Sequence, residues 1–244
     1  MWSTEIPENI YAKLYVPWRR VRFEVSLISS ILKKHNARRV VEFGCGVGRH
    51  GYLLSKQGFE VLLTDVRDWR YGRARRIPFK QYDLLKGGFI DLFDAGYAMA
   101  TIIVFRYDDI IRVLRNIREN LRDRGVFIFD YNFTVHEEPE RIDFRIDGDI
   151  YSALLKKNVY KEFNGGVLYE YRVEVVNSRG EIVGVEDTFY PIYGKEKIFR
   201  AVEEADYDID EIIWLNWDPI RYTYRLASSQ ETADSALISI MKRS

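Results

Sequence analysis

The stretch that most constrains this chain is a short apolar run that stops at three alternating glycines and continues as a helix. Val40-Val41-Glu42-Phe43-Gly44-Cys45-Gly46-Val47-Gly48-Arg49-His50-Gly51 reads as a buried strand, a tight turn and a helix start. Glycines let such a turn adopt positive φ and let a ligand approach where a Cβ would stand in the way. The helix that follows aims its unpaired amides at whatever is bound. A second strand, 60–64, closes on Asp65. A carboxylate there is placed to accept two hydrogen bonds from ribose hydroxyls. Strand, glycine turn, helix, strand and acid, in that order, point to a nucleoside-binding α/β chain. The stretch Gly46-Val-Gly48-Arg-His-Gly51 also matches the dinucleotide fingerprint. In that reading the first glycine belongs at the strand end, where Gly44 already stands, so the frame Glu-x-Gly-x-Gly-x-Gly fits better.

The rest of the chain continues the alternation. Strands are expected at 39–43, 60–64, 77–82, within 94–104 and at 126–130, with helices at 21–34, 49–57, 68–76 and 109–121. From about 142 to 194 no long helix is visible. Strand-like segments follow one another instead, punctuated by Asn164-Gly165-Gly166 and Ser178-Arg179-Gly180 as hairpin turns. A helix at 195–205 and strands at 211–217 and 235–241 complete the chain. The expected fold class is α/β: a doubly wound, mostly parallel, seven-stranded sheet with an antiparallel β insertion after strand five. The division implied is a core at 1–141, an insertion at 142–194, and a closing helix and strands at 195–244.

Composition sets outer limits. The 244 residues are 47% apolar and 15% aromatic, which excludes a disordered polymer. The lone cysteine, Cys45, forbids an internal disulfide and fits a reducing compartment. No apolar window of about 18 residues appears, and no secretory leader is visible. A cytoplasmic protein with no membrane contact is expected. Net charge is zero, which argues against a global polyanion-binding surface. The charge is uneven, however: residues 1–80 hold 16 Lys/Arg against 7 Asp/Glu.

The glycine turn with Gly58-Phe59-Glu60-Val61 and Thr64-Asp65-Val66 resembles the class I S-adenosylmethionine-dependent methyltransferases. The resemblance extends through Gln81-Tyr82-Asp83-Leu84, Phe93-Asp94-Ala95 and the helix-turn-strand around Gly125. It covers residues 35–130 well and 195–241 loosely. The insertion resembles the substrate lid of some small-molecule members. The resemblance implies a Rossmann-like fold and S-adenosylmethionine as cofactor. By position it implies Glu42, Gly44, Cys45, Gly46 and Gly48 around the methionine moiety and Asp65 on the ribose. Val66, Asp83 and Leu84 would lie around adenine, and Ala98 and Met99 near the sulfonium. Tyr15, or Tyr11, would come from the N-terminal segment.

The implied reaction is an in-line methyl transfer to a small molecule. Aromatic lid residues (Tyr160, Tyr169, Tyr171, Phe189, Tyr190, Tyr193) suit a cationic sulfonium. Tyr131 and Asn132, just past strand five, and His136 are the candidate catalytic residues, with His136 the candidate base. His50 suits a structural or cofactor-facing place and His35 the surface. No His, Cys or carboxylate spacing suggests a metal site. Arg67, Arg70, Arg73, Arg75 and Arg76, interleaved with Trp69 and Tyr71, open an alternative: an RNA or protein methyltransferase docking through these arginines. An exposed helix accounts for them with fewer assumptions. A non-catalytic cofactor-binding module is a third reading. The methyl acceptor and the oligomeric state are not legible.

Overall fold

The structure, a computed structural model, describes residues 3–135, 139–218 and 223–243. In chain order the elements are β1 (Ser3–Thr4), α1 (Glu8–Leu14), α2 (Trp18–Lys34), β2 (Arg39–Phe43), α3 (Arg49–Lys56), β3 (Glu60–Asp65), a 3-10 turn (Gly72–Arg76), β4 (Phe79–Gln81) and β5 (Phe93–Ala98). A second 3-10 turn (Ile102–Val104), α4 (Tyr107–Arg118), β6 (Leu121–Asn132), β7 (Arg141–Ile146), β8 (Asp149–Phe163), β9 (Gly166–Asn177) and β10 (Ile182–Tyr193) follow. The chain ends with α5 (Lys195–Glu204), β11 (Tyr207–Asp218), β12 (Thr223–Leu226) and β13 (Ser235–Lys242).

The larger sheet runs β12-β11-β13-β6-β5-β2-β3-β4. Its β4, β3, β2, β5 and β6 are parallel, and β13, β11 and β12 antiparallel. Helices cover both faces, which explains the apolar runs of β2 and β6: strands buried on two sides have no wet face to alternate toward. On one face α4 (Ile110, Leu114, Ile117) and α5 (Ile198, Val202) pack over Phe43 and Phe129. On the other, α2 (Val21, Val25, Ile28, Leu32) and α3 (Leu54) pack over Val40, Leu63 and Tyr97. The sheet carries one strand beyond the seven expected. The extra edge strand, β12, is only four residues long, with Arg225 and Leu226 exposed, so it shows no buried run. The 68–76 helix is replaced by the short 3-10 turn. That segment has no apolar stripe to bury, and Gly72 takes φ +59°.

The insertion forms a second, antiparallel sheet in the order β1-β10-β9-β8-β7. Asn164 and Gly165, both at positive φ, turn β8 into β9 as a two-residue hairpin. Strand β1 pairs with β10, and Ile6, Ile10 and Leu14 bury against Ala153 and Val175. The N-terminal segment is thereby tied to the insertion and carried across the top of the larger sheet. Among the described residues no helix is long and apolar enough to cross a membrane.

Candidate active site

The loop after β2 is shaped by glycines at positive φ. A Cβ on Gly44 (φ +68°) would stand 2.5 Å from Thr101 Oγ1, so close packing excludes any side chain there. A Cβ on Gly46 (φ +49°) would meet nothing within 4 Å, because that face opens onto a cavity of about 390 Å³. Asp65, at the tip of β3, turns its carboxylate toward this loop. Its Oδ2 accepts from Gly46 N at 2.8 Å and its Oδ1 from Val66 N at 2.7 Å. Burial raises the Asp65 pKa, against the opposing pull of these backbone amides. The same cavity is lined by Asp83, in the segment after β4 whose Tyr82 N donates to Asp65 O at 2.8 Å. The Asp83 Oδ1 accepts from Leu85 N at 3.0 Å, beside the buried Leu84, and the half-exposed Val66 also lines the cavity. Met99, Ala100 and Thr101 form its base, and Tyr11, Tyr15 and Val16 its roof. Arg49 holds the roof in place by donating from Nη1 to Ala12 O and Val16 O, both at 2.5 Å. Its guanidinium also lies 4.6 Å from the Trp18 ring.

Beneath the loop runs a chain of buried charges. Glu42 accepts from Gly51 N at 3.0 Å and from Tyr97 Oη at 2.9 Å, and burial pushes its pKa up to about 7. His50 stands between Glu42 (Nδ1, 3.7 Å) and Glu24 (Nε2, 2.7 Å). Burial alone would lower the His50 pKa, but the hydrogen bond and charge of Glu24 raise it. Glu24 pairs with Arg20 at 2.7 Å, and Arg20 reaches Asp130 at 3.8 Å. Asp130, at the end of β6, accepts from Ala100 N at 2.6 Å and lies 3.3 Å from Tyr224 Oη. Burial, then the neighbouring Glu24 charge, push its pKa to about 6 despite Arg20.

Asp130 belongs to a second chamber of about 150 Å³, lined by Tyr131, Asn132, Tyr169, Tyr171, Tyr190 and Glu186 among others. Tyr11, Tyr15, Arg20, Ala100 and Val104 wall both chambers, so the two adjoin. Tyr171 donates to Glu186 Oε1 at 3.0 Å, and Tyr224 donates to Asn132 Oδ1 at 3.0 Å.

Of the residues singled out from sequence, Glu42, Gly44, Cys45, Gly46, Asp65, Val66, Asp83, Leu84, Met99 and Tyr15 line the larger cavity. Gly48 and Ala98 do not. Gly48 is the turn into α3, and its missing Cβ makes room for Ala74 and Leu63. Ala98 points into the core on the α4 face, while Met99, one residue on, falls on the other. Tyr131 and Asn132 line the second chamber; the Tyr131 hydroxyl accepts from Tyr193 N at 3.2 Å. His136 lies outside the described residues. Of the lid aromatics, Tyr169, Tyr171 and Tyr190 face the chamber, whereas Tyr160 and Phe189 are exposed and Tyr193 is buried in the core. Among the described residues no cluster of three or more His, Cys, Asp or Glu suits a metal.

Sequence reasoning missed Arg20, Glu24, Asp130, Glu186 and Tyr224. Asp130 carried a readable signal: like Asp65, it is an acid closing an apolar strand. The arginine run is largely consumed internally. Arg67 stacks on Trp69 at 3.6 Å, Arg70 pairs with Asp68 at 2.7 Å, and Arg75 donates to Arg70 O at 2.9 Å.

No protein-family model matches the sequence, and none of the curated proteins matches it. Solved structures do match by shape. An S-adenosylmethionine-dependent methyltransferase from Clostridium acetobutylicum ATCC 824 superposes with a TM-score of 0.71 at 14% identity, covering 96% of this chain and 97% of that one. The fold is that of the S-adenosylmethionine-dependent methyltransferases. The sugar N-methyltransferase KedS8 from Streptoalloteichus sp ATCC 53650 gives 0.70 at 14% identity over 96% of this chain and 93% of its own. CalS10, an amino pentose methyltransferase from Micromonospora echinaspora solved with S-adenosylmethionine bound, gives 0.64 at 13% identity over 91% and 92%. The match therefore spans the antiparallel sheet as well as the parallel one.

Proposed function

We propose that this chain is an S-adenosylmethionine-dependent methyltransferase acting on a small polar acceptor that carries an amino group. The observation that carries the reading is the pair of adjoining chambers. One is walled by the glycine loop, Asp65 and Asp83; the other is walled by tyrosines and the carboxylates of Asp130 and Glu186. The residues fit the cofactor: the open face of Gly46 is a cradle that any Cβ would fill, and two acids, Asp65 and Asp83, line the cavity from the ends of the neighbouring strands β3 and β4.

When bound, S-adenosylmethionine supplies a methyl group already activated on a sulfonium. Asp65 would take the ribose hydroxyls, Asp83 the adenine amino group, and the loop around Gly44 and Gly46 the methionine moiety. The protein's remaining task is alignment and exclusion of water. Holding the partners in line is worth about 7–11 kcal/mol. Tyr11 and Tyr15 roof both chambers and keep water out, which strengthens electrostatics inside. Asp130 and Glu186 among aromatic faces suit an amine. Asp130 accepts an N–H and holds the proton once it leaves nitrogen. With a pKa near 6 it is ionised, and able to do so, at neutral pH. The amine preference also agrees with the N-methyltransferase and amino-sugar activities of two of the proteins that share the fold.

Calorimetric titration with S-adenosylmethionine and S-adenosylhomocysteine, followed by transfer of labelled methyl to matched amino and hydroxy sugars, tests the reading. Binding of both ligands and label on the amines alone is expected. Absence of binding at about 1 mM ligand removes the cofactor assignment. Label on the hydroxy sugars removes the amine assignment.

A further inference from the structure

Away from both chambers, α2, α3 and the Gly72–Arg76 turn enclose two hollows that the methyl-transfer reading does not use. The first, about 410 Å³, is walled by Trp18 and Arg22 of α2, Arg49 and Tyr52 of α3, and Tyr71 and Arg73. The second, about 300 Å³, is walled by Tyr52, Ser55, Lys56, Arg73 and Arg76. Tyr52 and Arg73 stand in both, so the hollows form one trough.

The trough is unbalanced in charge. Arg22, Arg49, Lys56, Arg73 and Arg76 line it and no Asp or Glu does. Arg49 is held by Ala12 O, Val16 O and the Trp18 ring. Arg22, Lys56, Arg73 and Arg76 form no ion pair with a described residue, whereas Arg70 of the same segment is held by Asp68 and Arg20 of the same helix by Glu24. Like charges gathered at a surface repel, and screening reduces this cost without removing it. The field reaches Tyr52. Its hydroxyl accepts from Arg73 Nη1 at 3.3 Å, and that bond, helped by the Lys56 and Arg76 charges, lowers its pKa.

The trough also presents rings. Trp18 and Tyr71 are large aromatics left 36% and 39% exposed, and Trp18 meets Tyr52 edge-on at 6.2 Å. Guanidinium forks match phosphate oxygens, and exposed aromatic faces take a planar base. Both needs are met by one molecule.

We propose that this trough is a second binding site, for a nucleoside phosphate, separate from the methyl-transfer chambers. A single nucleotide fits better than an RNA strand. The neighbouring Arg67, Arg70 and Arg75 are occupied by Trp69, Asp68 and a backbone carbonyl. The free cations therefore stop at the trough and do not continue as a track for a phosphodiester backbone.

The test uses the full chain saturated with S-adenosylhomocysteine, so that the adenosyl cavity is filled, and titrates uridine 5′-diphosphate, inorganic pyrophosphate, uridine and a twelve-residue oligouridylate by calorimetry. Uridine nucleotides avoid confusion with the adenine site. Expected is saturable binding of the diphosphate, about tenfold or more tighter than pyrophosphate or uridine alone, weakening severalfold as salt rises from about 50 to 200 mM. The double variant Arg73→Ala with Arg76→Ala loses about tenfold or more of that affinity and keeps its affinity for S-adenosylhomocysteine and its melting temperature. The proposal is overturned by no heat at about 5 mM diphosphate, by pyrophosphate binding as tightly as the diphosphate, or by a double variant that binds like wild type. Oligouridylate binding about a hundredfold tighter than the diphosphate would mark an RNA surface and overturn it as well.

Discussion

Replacing Glu42 by glutamine turns the buried acid under the glycine loop into a neutral group of the same shape. The carboxyl titrates at about 7 in the folded chain against an ordinary 4.5. The folded protein therefore holds this proton more tightly than the unfolded chain. Stability falls as pH rises from about 4.5 to about 7 and stays low above that, a full effect of about 3 kcal/mol. Between pH 5 and 8 the loss from Glu42 alone comes to about 2.5 kcal/mol, or roughly 5–10 °C in melting temperature for a chain of this size. His50 runs in the same sense: its raised value gives stability that is present in acid and lost as pH rises through the folded value. Asp130, raised to about 6, adds a third contribution of the same sign. Glu24, held low by Arg20 and His50 against its burial, opposes them only in stronger acid. Wild type should therefore be most stable near pH 5. Glutamine keeps both accepted hydrogen bonds, from Gly51 N and Tyr97 Oη, through its carbonyl oxygen. Urea unfolding of the ligand-free protein at pH 5, 6, 7 and 8 measures the difference. Glu42→Gln should flatten the profile by about 2.5 kcal/mol and exceed wild type in stability at pH 8. Parallel profiles, or a wild type whose stability rises toward pH 8, refute the reasoning.

Other substitutions separate fold from function. Gly44→Ala places a methyl 2.5 Å from Thr101 Oγ1 at positive φ and should cost about 2–4 kcal/mol in denaturant unfolding. Gly46→Ala has open space at its Cβ, so it should lose no more than about 1–2 kcal/mol of stability while S-adenosylhomocysteine binding falls at least about tenfold by calorimetry. Asp65→Ala should weaken cofactor binding by about 1–3 kcal/mol; an unchanged dissociation constant would show that the carboxylate only shapes the loop. Asp130→Asn should abolish the acid limb near pH 6 in the pH profile of methyl transfer and lower the rate by about 10²–10⁴-fold. An intact acid limb in that variant assigns the proton to another group.

The glycine loop and Asp65 were legible because strand, turn, helix and acid follow one another in sequence, each with its own local chemistry. The hairpin at Asn164-Gly165 was legible for the same reason: its turn residues fix a two-residue connection whatever surrounds them. The buried charges were not. Arg20 and Glu24, four apart at the start of a helix, read like an ordinary solvated pair. Only packing against β11, β12 and α3 buries them, through Trp217 and Tyr224 on one side and His50 on the other. The second chamber draws on β6, β9, β10, β11 and β12 as well as α1 and α2, and no sequence window holds more than a fragment of it.

Those charges alternate in sign along their path: Glu42, His50, Glu24, Arg20, Asp130. The inner ions, His50, Glu24 and Arg20, lie between opposite partners, the condition under which desolvation is tolerable, and removing Glu24 or Arg20 strands its neighbours at a cost of about 3–5 kcal/mol. Apolar packing of equal volume would stabilise the fold as well or better, so stability alone does not account for the chain of ions. Its two ends supply a reason. Glu42 ties down the backbone of Gly51 behind the glycine loop, and Asp130 ties down Ala100, a non-glycine residue at φ +51° on the wall between the chambers. The ionic path thus fixes, from beneath, the two backbone segments against which cofactor and acceptor must be aligned. Position, more than chemistry, is what a methyl group already bonded to sulfonium requires of the protein.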